Sequence, residues 1–362
     1  MITRRGAPGR REQAPLEGIR QPSAFGAATL LHNVRMRRRR IAIIAVLVVV
    51  IAGGAWVAIS KSGLMQPKHW PQPLQPVPII STRGQFKDGK LTTGHNAYDY
   101  SIEGKLPGWA HGTKPPQDLL IVVHGFNNTA EKARYKFDIA RESLTRAGFK
   151  GVIAGFSWDA DTQSDPLAMT GYHEAMHNAT ANGPALARFV VDYKAACPQT
   201  RVHVIGYSMG ARVALEALYA MSEDSHLPSD VVPLSSVHLV GASLQNEDVE
   251  LGQRYGEAIQ ARCARLFNYY SREDNKLGYY YPLKEGNRAL GLTGILHMDR
   301  SPANYFEVDS RKELPKLDTK GNVDIDEYGD NHSGYLGTRD KQGKLLDDGV
   351  MDLVARNILT IR

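Results

Sequence analysis

Residues 202–215 read VHVIGYSMGARVAL. An apolar run at 202–205 leads into GYSMG at 206–210, and apolar residues at helical spacing follow. The pattern G-x-S-x-G alone is weak, because average glycine and serine usage would place it by chance in about one chain in ten of this length. The surrounding chain must therefore decide whether Ser208 is a nucleophile.

Strands and helices are predicted to alternate from about residue 77 onward. The predicted strands are VPIIST, YDYSIEG, 118–126, 150–158, 201–208, 235–243, 265–271 and 306–310, and the predicted helices are 130–147, 183–196, 209–222, 248–263 and 346–359. Several of the strands are unbroken apolar runs, which is typical of strands buried on both faces. The alternation indicates βαβ units, so the predicted fold class is α/β with a doubly wound, mostly parallel sheet.

Ser208 falls where one buried strand ends and a helix begins. Active sites in open α/β sheets collect at the carboxyl ends of strands. A serine on such a sharp turn is strained, and glycines two residues before and after it remove side chains that would collide there. Gly206 and Gly210 occupy those positions. This context favours a nucleophilic serine over an ordinary turn.

A nucleophilic serine also needs N–H donors for the developing oxyanion. In this architecture one donor follows the nucleophile and the other comes from a loop after an earlier strand. Met209 is the first candidate, and Phe126, directly after His124-Gly125 in VVHGFNN, is the second. His124 precedes the serine in the chain, whereas this layout puts the base last, so we expect His124 to support the loop.

Four histidines downstream of the serine are candidates for the general base. His226 lies about 18 residues after Ser208, at the far end of the helix, and a rise of about 1.5 Å per residue puts it more than about 20 Å from the serine, which excludes it. His238 lies inside an apolar strand and is expected to be a core residue. His332 follows the last predicted strand and precedes the closing helix, which suits the base. His297 is the alternative.

The acid that orients the base should lie between the serine and the histidine in the chain. Asp274 is favoured because it follows the later strand of the two that end in acidic loops. The alternatives are Glu273, Glu247 and Asp248, and Glu273 is expected to be a solvated loop charge.

The segments GYSMG, HGFNN, FSWDAD, YSREDNKL and NHSGYL together resemble the α/β-hydrolase superfamily, and in particular a bacterial group of unknown function. The resemblance covers roughly residues 115–335. It implies a triad of Ser208, Asp274 and His332, with Phe126 and Met209 at the oxyanion hole. Two segments depart from the group's pattern: FSWPS is FSWDA here, and D-x-A-L is D-N-K-L.

The N-terminal region has a separate character. Residues 1–40 hold ten arginines and two acidic residues, whereas the rest of the chain holds 34 bases and 36 acids. Residues 41–59 carry no charge and just span a bilayer core of about 30 Å as a helix. We therefore expect a basic, disordered tail at 1–40, a transmembrane anchor at 41–60, a proline-rich linker at 61–78 and the hydrolase domain at 79–362. A cleaved signal peptide or a buried core helix would be the alternatives for 41–60.

Five arginines stand directly before the apolar segment, so the positive-inside rule predicts a cytoplasmic N-terminus and a catalytic domain outside the cytoplasm, in a bacterial cell envelope. The sequence thus predicts a membrane-anchored serine hydrolase acting on a small-molecule or lipid carboxylic ester. A non-catalytic envelope module and an acyltransferase remain alternatives. No cofactor, metal or nucleic acid is expected, and the oligomeric state stays open. Cys197 and Cys263 are expected to be two buried thiols, and a disulfide between them outside the cytoplasm is the alternative.

Overall fold

An eight-stranded sheet forms the centre of the protein. The computed structural model describes residues 76–109, 113–162, 169–228, 234–314, 331–340 and 342–360. The strands are β1 Ile79–Ser81, β2 Phe86–Lys87, β3 Lys90–Leu91, β4 Ser101–Glu103, β5 Asp118–Val123, β6 Val152–Ser157, β7 Arg201–Tyr207, β8 Ser236–Val240, β9 Leu266–Tyr270, β10 Tyr305–Asp309, β11 Thr338–Arg339 and β12 Leu345–Asp347.

The strand order in the large sheet is β10-β9-β8-β7-β5-β6-β1-β4. Only β4, at one edge, runs antiparallel to its neighbour, and all other pairs are parallel. The predicted α/β class with a mostly parallel sheet is therefore confirmed. The register pairs Val123 of β5 with Gly206 of β7. Because parallel strands end at the same edge of a sheet, the loop after β5 reaches the turn after β7.

Helices cover both faces of this sheet. They are α1 Ala130–Arg146, α2 Met169–Ala181, α3 Gly183–Ala196, α4 Gly210–Glu223, α5 Gly256–Arg262, α6 Asn275–Glu285, α7 Leu290–Thr293 and α8 Met351–Leu359, with 3-10 turns at Met298–Arg300 and Asn331–Leu336. One apolar core joins the sheet to α2, α3, α4 and α5, and a second joins it to α1 and α8. Two cores on opposite faces are what a doubly wound sheet requires.

Two predicted helices were placed wrongly. The segment 248–263 was predicted as one helix, but only Gly256–Arg262 is helical. Gly252 has a φ of +82°, which breaks a helix, and Gly256 lies so close to the Glu250 carbonyl that a Cβ would sit 2.1 Å from its oxygen. The closing helix begins at Met351 and not at 346, because Leu345–Asp347 pairs with β11.

The predicted tail at 1–40 and anchor at 41–60 lie outside the described residues. Within the described ranges, no helix has both the length and the apolar character needed to cross a bilayer. Cys197 and Cys263 are both buried and are not joined to each other, as expected.

Candidate active site

Ser208 stands on a tight turn between β7 and α4. Its φ is +55°, in the left-handed region that a residue with a Cβ adopts at a cost of about 1–2 kcal/mol. The two flanking glycines make this turn possible. A Cβ on Gly206 would lie 2.7 Å from the Cα of Ala211, and one on Gly210 would lie 2.5 Å from the carbonyl oxygen of Val123. Any side chain at either position would therefore push the turn away from the sheet.

The structure brings Ser208 together with His332 and Asp274. The Ser208 Oγ lies 2.9 Å from Nε2 of His332, and Nδ1 of His332 lies 2.6 Å from Oδ2 of Asp274. His332 is 3% exposed and Asp274 is 1% exposed. A proton on Nδ1 would be held by the carboxylate, which leaves Nε2 as an acceptor for the serine hydroxyl.

Asp274 lies four residues after the end of β9 and caps the N-terminus of α6. Its second carboxylate oxygen, Oδ1, accepts a hydrogen bond of 2.9 Å from the N–H of Leu277. One carboxylate oxygen therefore accepts from the start of the helix, and the other binds His332. Carboxylates suit helix N-termini because both the free N–H groups and the helix dipole favour negative charge there.

Asn331 joins the segment of the acid to the segment of the histidine. Its side chain donates to the carbonyl of Glu273 at 2.7 Å and accepts from the N–H of Asn275 at 3.2 Å. Sequence reasoning did not identify Asn331 as part of the site. Its only signal in the sequence is that it directly precedes His332.

Two further side chains hold the segment that carries His332. The hydroxyl of Tyr207 donates to the carbonyl oxygen of His332 at 3.1 Å, and its ring packs on the imidazole at 5.3 Å. The ammonium group of Lys136 donates to the carbonyl oxygen of Ser333 at 3.2 Å. Tyr207 belongs to the GYSMG motif, but it contacts His332, which lies far away in the chain, so the motif does not reveal this support.

The loop after β5 lies against the serine. A Cβ added to Gly125 would lie 2.8 Å from the Cβ of Ser208 and 3.3 Å from its Oγ, so only glycine fits there. The carbonyl oxygen of Gly125 is held by Nδ1 of His124 and by the amide of Asn128, each at 2.9 Å. In a trans peptide the C=O and the next N–H point in opposite directions. These two side chains therefore fix the direction of the Phe126 N–H.

His124 is a neutral histidine with a defined tautomer. Its Nε2 accepts a hydrogen bond from the N–H of Trp158 at 3.1 Å, which places the ring proton on Nδ1, toward Gly125. Burial, with Arg83 nearby, lowers the pKa of His124 to about 3. The ring also stacks on Trp158 at 5.5 Å. His124 therefore supports the loop, in keeping with its expected role.

Met209, the other candidate donor, is the residue before α4 and is buried. Within the part of the chain that the structure describes, its N–H donates to no protein oxygen. A free N–H beside the nucleophile is available for an oxyanion.

The alternative bases and acids have other partners. The N–H and Nδ1 of His297 lie 2.8 and 3.0 Å from Oε1 of Glu250, away from the serine. His238 is buried and bonded to Ser236 and Tyr269, as expected for a core histidine. Of the alternative acids Glu273, Glu247 and Asp248, none is bonded to His332 in the described structure. Among the described residues, no cluster of three or more metal-binding side chains occurs.

Comparison with known proteins points to one family. Residues 110–304 match the sequence profile of the family described as "Alpha/beta hydrolase of unknown function (DUF900)". The matched range includes Ser208 and Asp274 and ends before His332. No curated protein matches the chain.

Several solved structures are similar to the chain at low identity. A cutinase-like protein from Cryptococcus sp. has 14% identity and a TM-score of 0.34 over 67% of this chain and 93% of that one. A lipase-esterase related protein from Clostridium acetobutylicum has 11% identity and a TM-score of 0.33, over 68% and 95%. An acetylxylan esterase has 12% identity and a TM-score of 0.32, over 68% and 97%.

Proposed function

The chain belongs to the family of alpha/beta hydrolases of unknown function (DUF900), and from that premise we propose that it is a serine hydrolase that cleaves a carboxylic ester. The observation that carries the proposal is the hydrogen-bonded chain from Ser208 through His332 to Asp274, with the serine on a strained turn. Strain of this kind persists where it serves a function.

The reaction would run through an acyl-enzyme. His332 takes the proton of Ser208 as the Oγ attacks the ester carbonyl, and the N–H groups of Met209 and Phe126 stabilise the oxyanion. The C–O bond to the alcohol then breaks, and His332 protonates the leaving alcohol. Water, activated by the same histidine, releases the acid and restores the serine. Asp274 holds the imidazole in the required tautomer and stabilises its charged form. Each oxyanion donor is worth about 3–4 kcal/mol.

A fluorophosphonate probe tests this proposal directly. The domain from residue 62 onward should be labelled, and the Ser208→Ala variant should not. The same pair should then be compared on short- and long-chain acyl esters, with turnover expected only for the unaltered protein. Absence of labelling together with absence of turnover across the panel would contradict the enzyme proposal.

We further propose that residues 41–60 anchor the protein in a membrane with the catalytic domain outside the cytoplasm. The support is the uncharged segment of bilayer length directly after five arginines. A reporter that works only outside the cytoplasm, fused after residue 62, should be active. A matched reporter that works only inside the cytoplasm should be silent at the same position, and the reverse pattern would refute this orientation.

A further inference from the structure

Arg212 lies one helical turn after the proposed nucleophile. It is the third residue of α4, and its own N–H donates to the carbonyl of Met209 at 3.0 Å. Side chains in a helix lean toward the N-terminus, so that of Arg212 extends toward the turn that carries Ser208. Its position therefore brings a positive charge to the border of the active site.

The guanidinium of Arg212 has no protein partner among the residues that the structure describes. Its Nε is buried without a hydrogen bond, and no carboxylate of a described residue lies within ion-pair distance of it. Other arginines of the domain are paired: Arg254 lies 2.9 Å from Glu216, and Arg339 lies 2.9 Å from Asp138. A buried charged donor without an acceptor is costly, since such groups are normally hydrogen-bonded.

The surroundings of Arg212 connect it to the active site. Tyr172, Tyr255, Asp248 and Tyr281 all lie within range of electrostatic interaction with its guanidinium. The hydroxyl of Tyr172 lies 3.0 Å from the Oγ of Ser243.

Ser243 and Tyr172 in turn touch the proposed catalytic groups. The N–H of Ser243 donates to the carbonyl of Ser208 at 3.2 Å. The ring of Tyr172 packs edge-on against Phe126 at 5.6 Å. Tyr172 thus contacts the oxyanion loop and also interacts electrostatically with the guanidinium.

A second unused donor lies in the same region. The hydroxyl of Tyr281 is buried and has no hydrogen-bond partner among the described residues. Burial raises the pKa of Tyr281 far above its ordinary value, so the hydroxyl keeps its proton. Burial opposes the charge on Arg212, but its neighbours outweigh that effect and raise its pKa, so the guanidinium stays positive.

Two acidic residues in this region are the protein groups with which an anionic ligand would compete for Arg212. Asp248 is close to Arg212 but forms no ion pair with it, and burial raises the pKa of its carboxyl. Glu285 has one buried carboxylate oxygen without a partner and faces Tyr172 and Tyr281. Neither acid accepts a hydrogen bond from the Nε–H of Arg212, so this donor is available to an acceptor from outside the protein.

We propose that Arg212, assisted by the hydroxyl of Tyr281, binds an anionic group of the substrate, so that the ester carries a carboxylate or a phosphate close to the scissile bond. Planar guanidinium groups match the oxygen pairs of carboxylate and phosphate. This inference rests on the proposed ester hydrolysis and adds the class of substrate.

Two pairs of esters test the inference on the unaltered full chain. Para-nitrophenyl hemiglutarate is compared with para-nitrophenyl pentanoate, which places a carboxylate or a methyl group at the end of the acyl part. Butanoyl glycerol phosphate is compared with monobutanoyl glycerol, which places or omits a phosphate on the alcohol. At least one charged ester should have a kcat/KM about 10- to 100-fold higher than its neutral partner, as a hydrogen bond to a charged group would give. The pair that shows the preference tells which anion is bound.

Variants then assign the preference to Arg212. In Arg212→Gln the ratio of charged to neutral kcat/KM should fall by about 10- to 100-fold, and Arg212→Lys should retain an intermediate ratio. Arg188→Gln removes an exposed arginine that pairs with Asp192 and so controls for net charge; its ratio should not change.

The outcomes separate the two proposals. If fluorophosphonate labels Ser208 and the unaltered protein cleaves neutral esters as well as charged ones, the anion site alone is overturned. This outcome holds even if no variant folds. An equal loss on both members of a pair in Arg212→Gln would do the same. No labelling and no turnover of any ester would instead reject the proposed hydrolysis.

Discussion

Replacing Gly210 by alanine tests whether the close approach of α4 to β5 positions the catalytic groups. The added Cβ would lie 2.5 Å from the carbonyl oxygen of Val123 and 2.6 Å from that of His124. Both obstacles are backbone atoms, so no side chain can rotate away. Ordinary contacts of a Cβ begin near 3.4 Å, and the start of α4 would therefore have to retreat by about 0.9 Å.

That retreat carries Ser208 and Met209 away from the loop that carries Phe126. A misplacement of about 1 Å between reacting groups costs on the order of 100-fold in rate. Overpacking at a rigid contact also costs about 1–3 kcal/mol of stability. We therefore expect Gly210→Ala to lower kcat/KM on any ester substrate by about 100-fold and the free energy of unfolding by about 1–3 kcal/mol.

Gly278 offers a matched control in another helix of the domain. It lies in α6, and a Cβ there would meet only the Cδ1 of Leu292, at 3.9 Å. Gly278→Ala should therefore raise the free energy of unfolding by about 0.5–1 kcal/mol, because alanine is the better helix former. Both variants are measured by urea unfolding and by ester hydrolysis. Activity of Gly210→Ala within threefold of the unaltered protein would refute the reasoning.

Three further predictions follow from the site. Asp274→Asn should lower kcat by about 10³- to 10⁴-fold while the helix stays capped, since asparagine caps as well as aspartate. A large fall in the free energy of unfolding alongside the loss of activity would contradict this. Asn331→Ala should lower kcat by about tenfold, because two hydrogen bonds of about 1 kcal/mol each that join the acid to the base are lost; unchanged kcat in steady-state kinetics would count against that role. The pKa values of His124 and His238 are lowered by burial, so only the unfolded state takes up their protons below its pKa of about 6.5. Stability is therefore complete above that pH and should fall by up to about 1.4 kcal/mol per histidine and pH unit as the pH drops toward 4, and a flat urea-unfolding series from pH 7 to 4 would contradict it.

The sheet could be predicted from the sequence because its central strands are mainly apolar and buried. Asp118–Val123 and Arg201–Tyr207 are buried on both faces, and such strands leave an unmistakable run of apolar residues. The turn at Ser208 could be predicted for a related reason. Gly206 is required by a local contact, since a Cβ there would meet the Cα of Ala211, whereas Gly210 is required by the carbonyl oxygen of Val123 in another strand.

The supports of the site could not be predicted, because they join residues far apart in the chain. Tyr207 meets His332 across 125 positions, and Lys136 meets Ser333 across 197. No local periodicity records such contacts. The helix wrongly predicted at 248–263 has a different, local cause, because Gly252 adopts a positive φ and Gly256 lies against the carbonyl of Glu250.

Ser208 and Arg212, one turn apart, each carry an unfavourable local feature. The backbone strain at Ser208 costs about 1–2 kcal/mol, and an unpaired buried donor such as the Nε–H of Arg212 costs about 1–3 kcal/mol. Departures of this kind are expected at functional sites. If Arg212 serves a ligand, then Arg212→Met, which keeps an unbranched stem of similar volume to the aliphatic part of arginine and removes the unpaired charge, should leave the free energy of unfolding unchanged or raise it by about 1 kcal/mol. If the guanidinium instead serves the fold, the same change should lower that free energy by about 2 kcal/mol or more. Urea unfolding without substrate decides between the two, independently of any assay of activity.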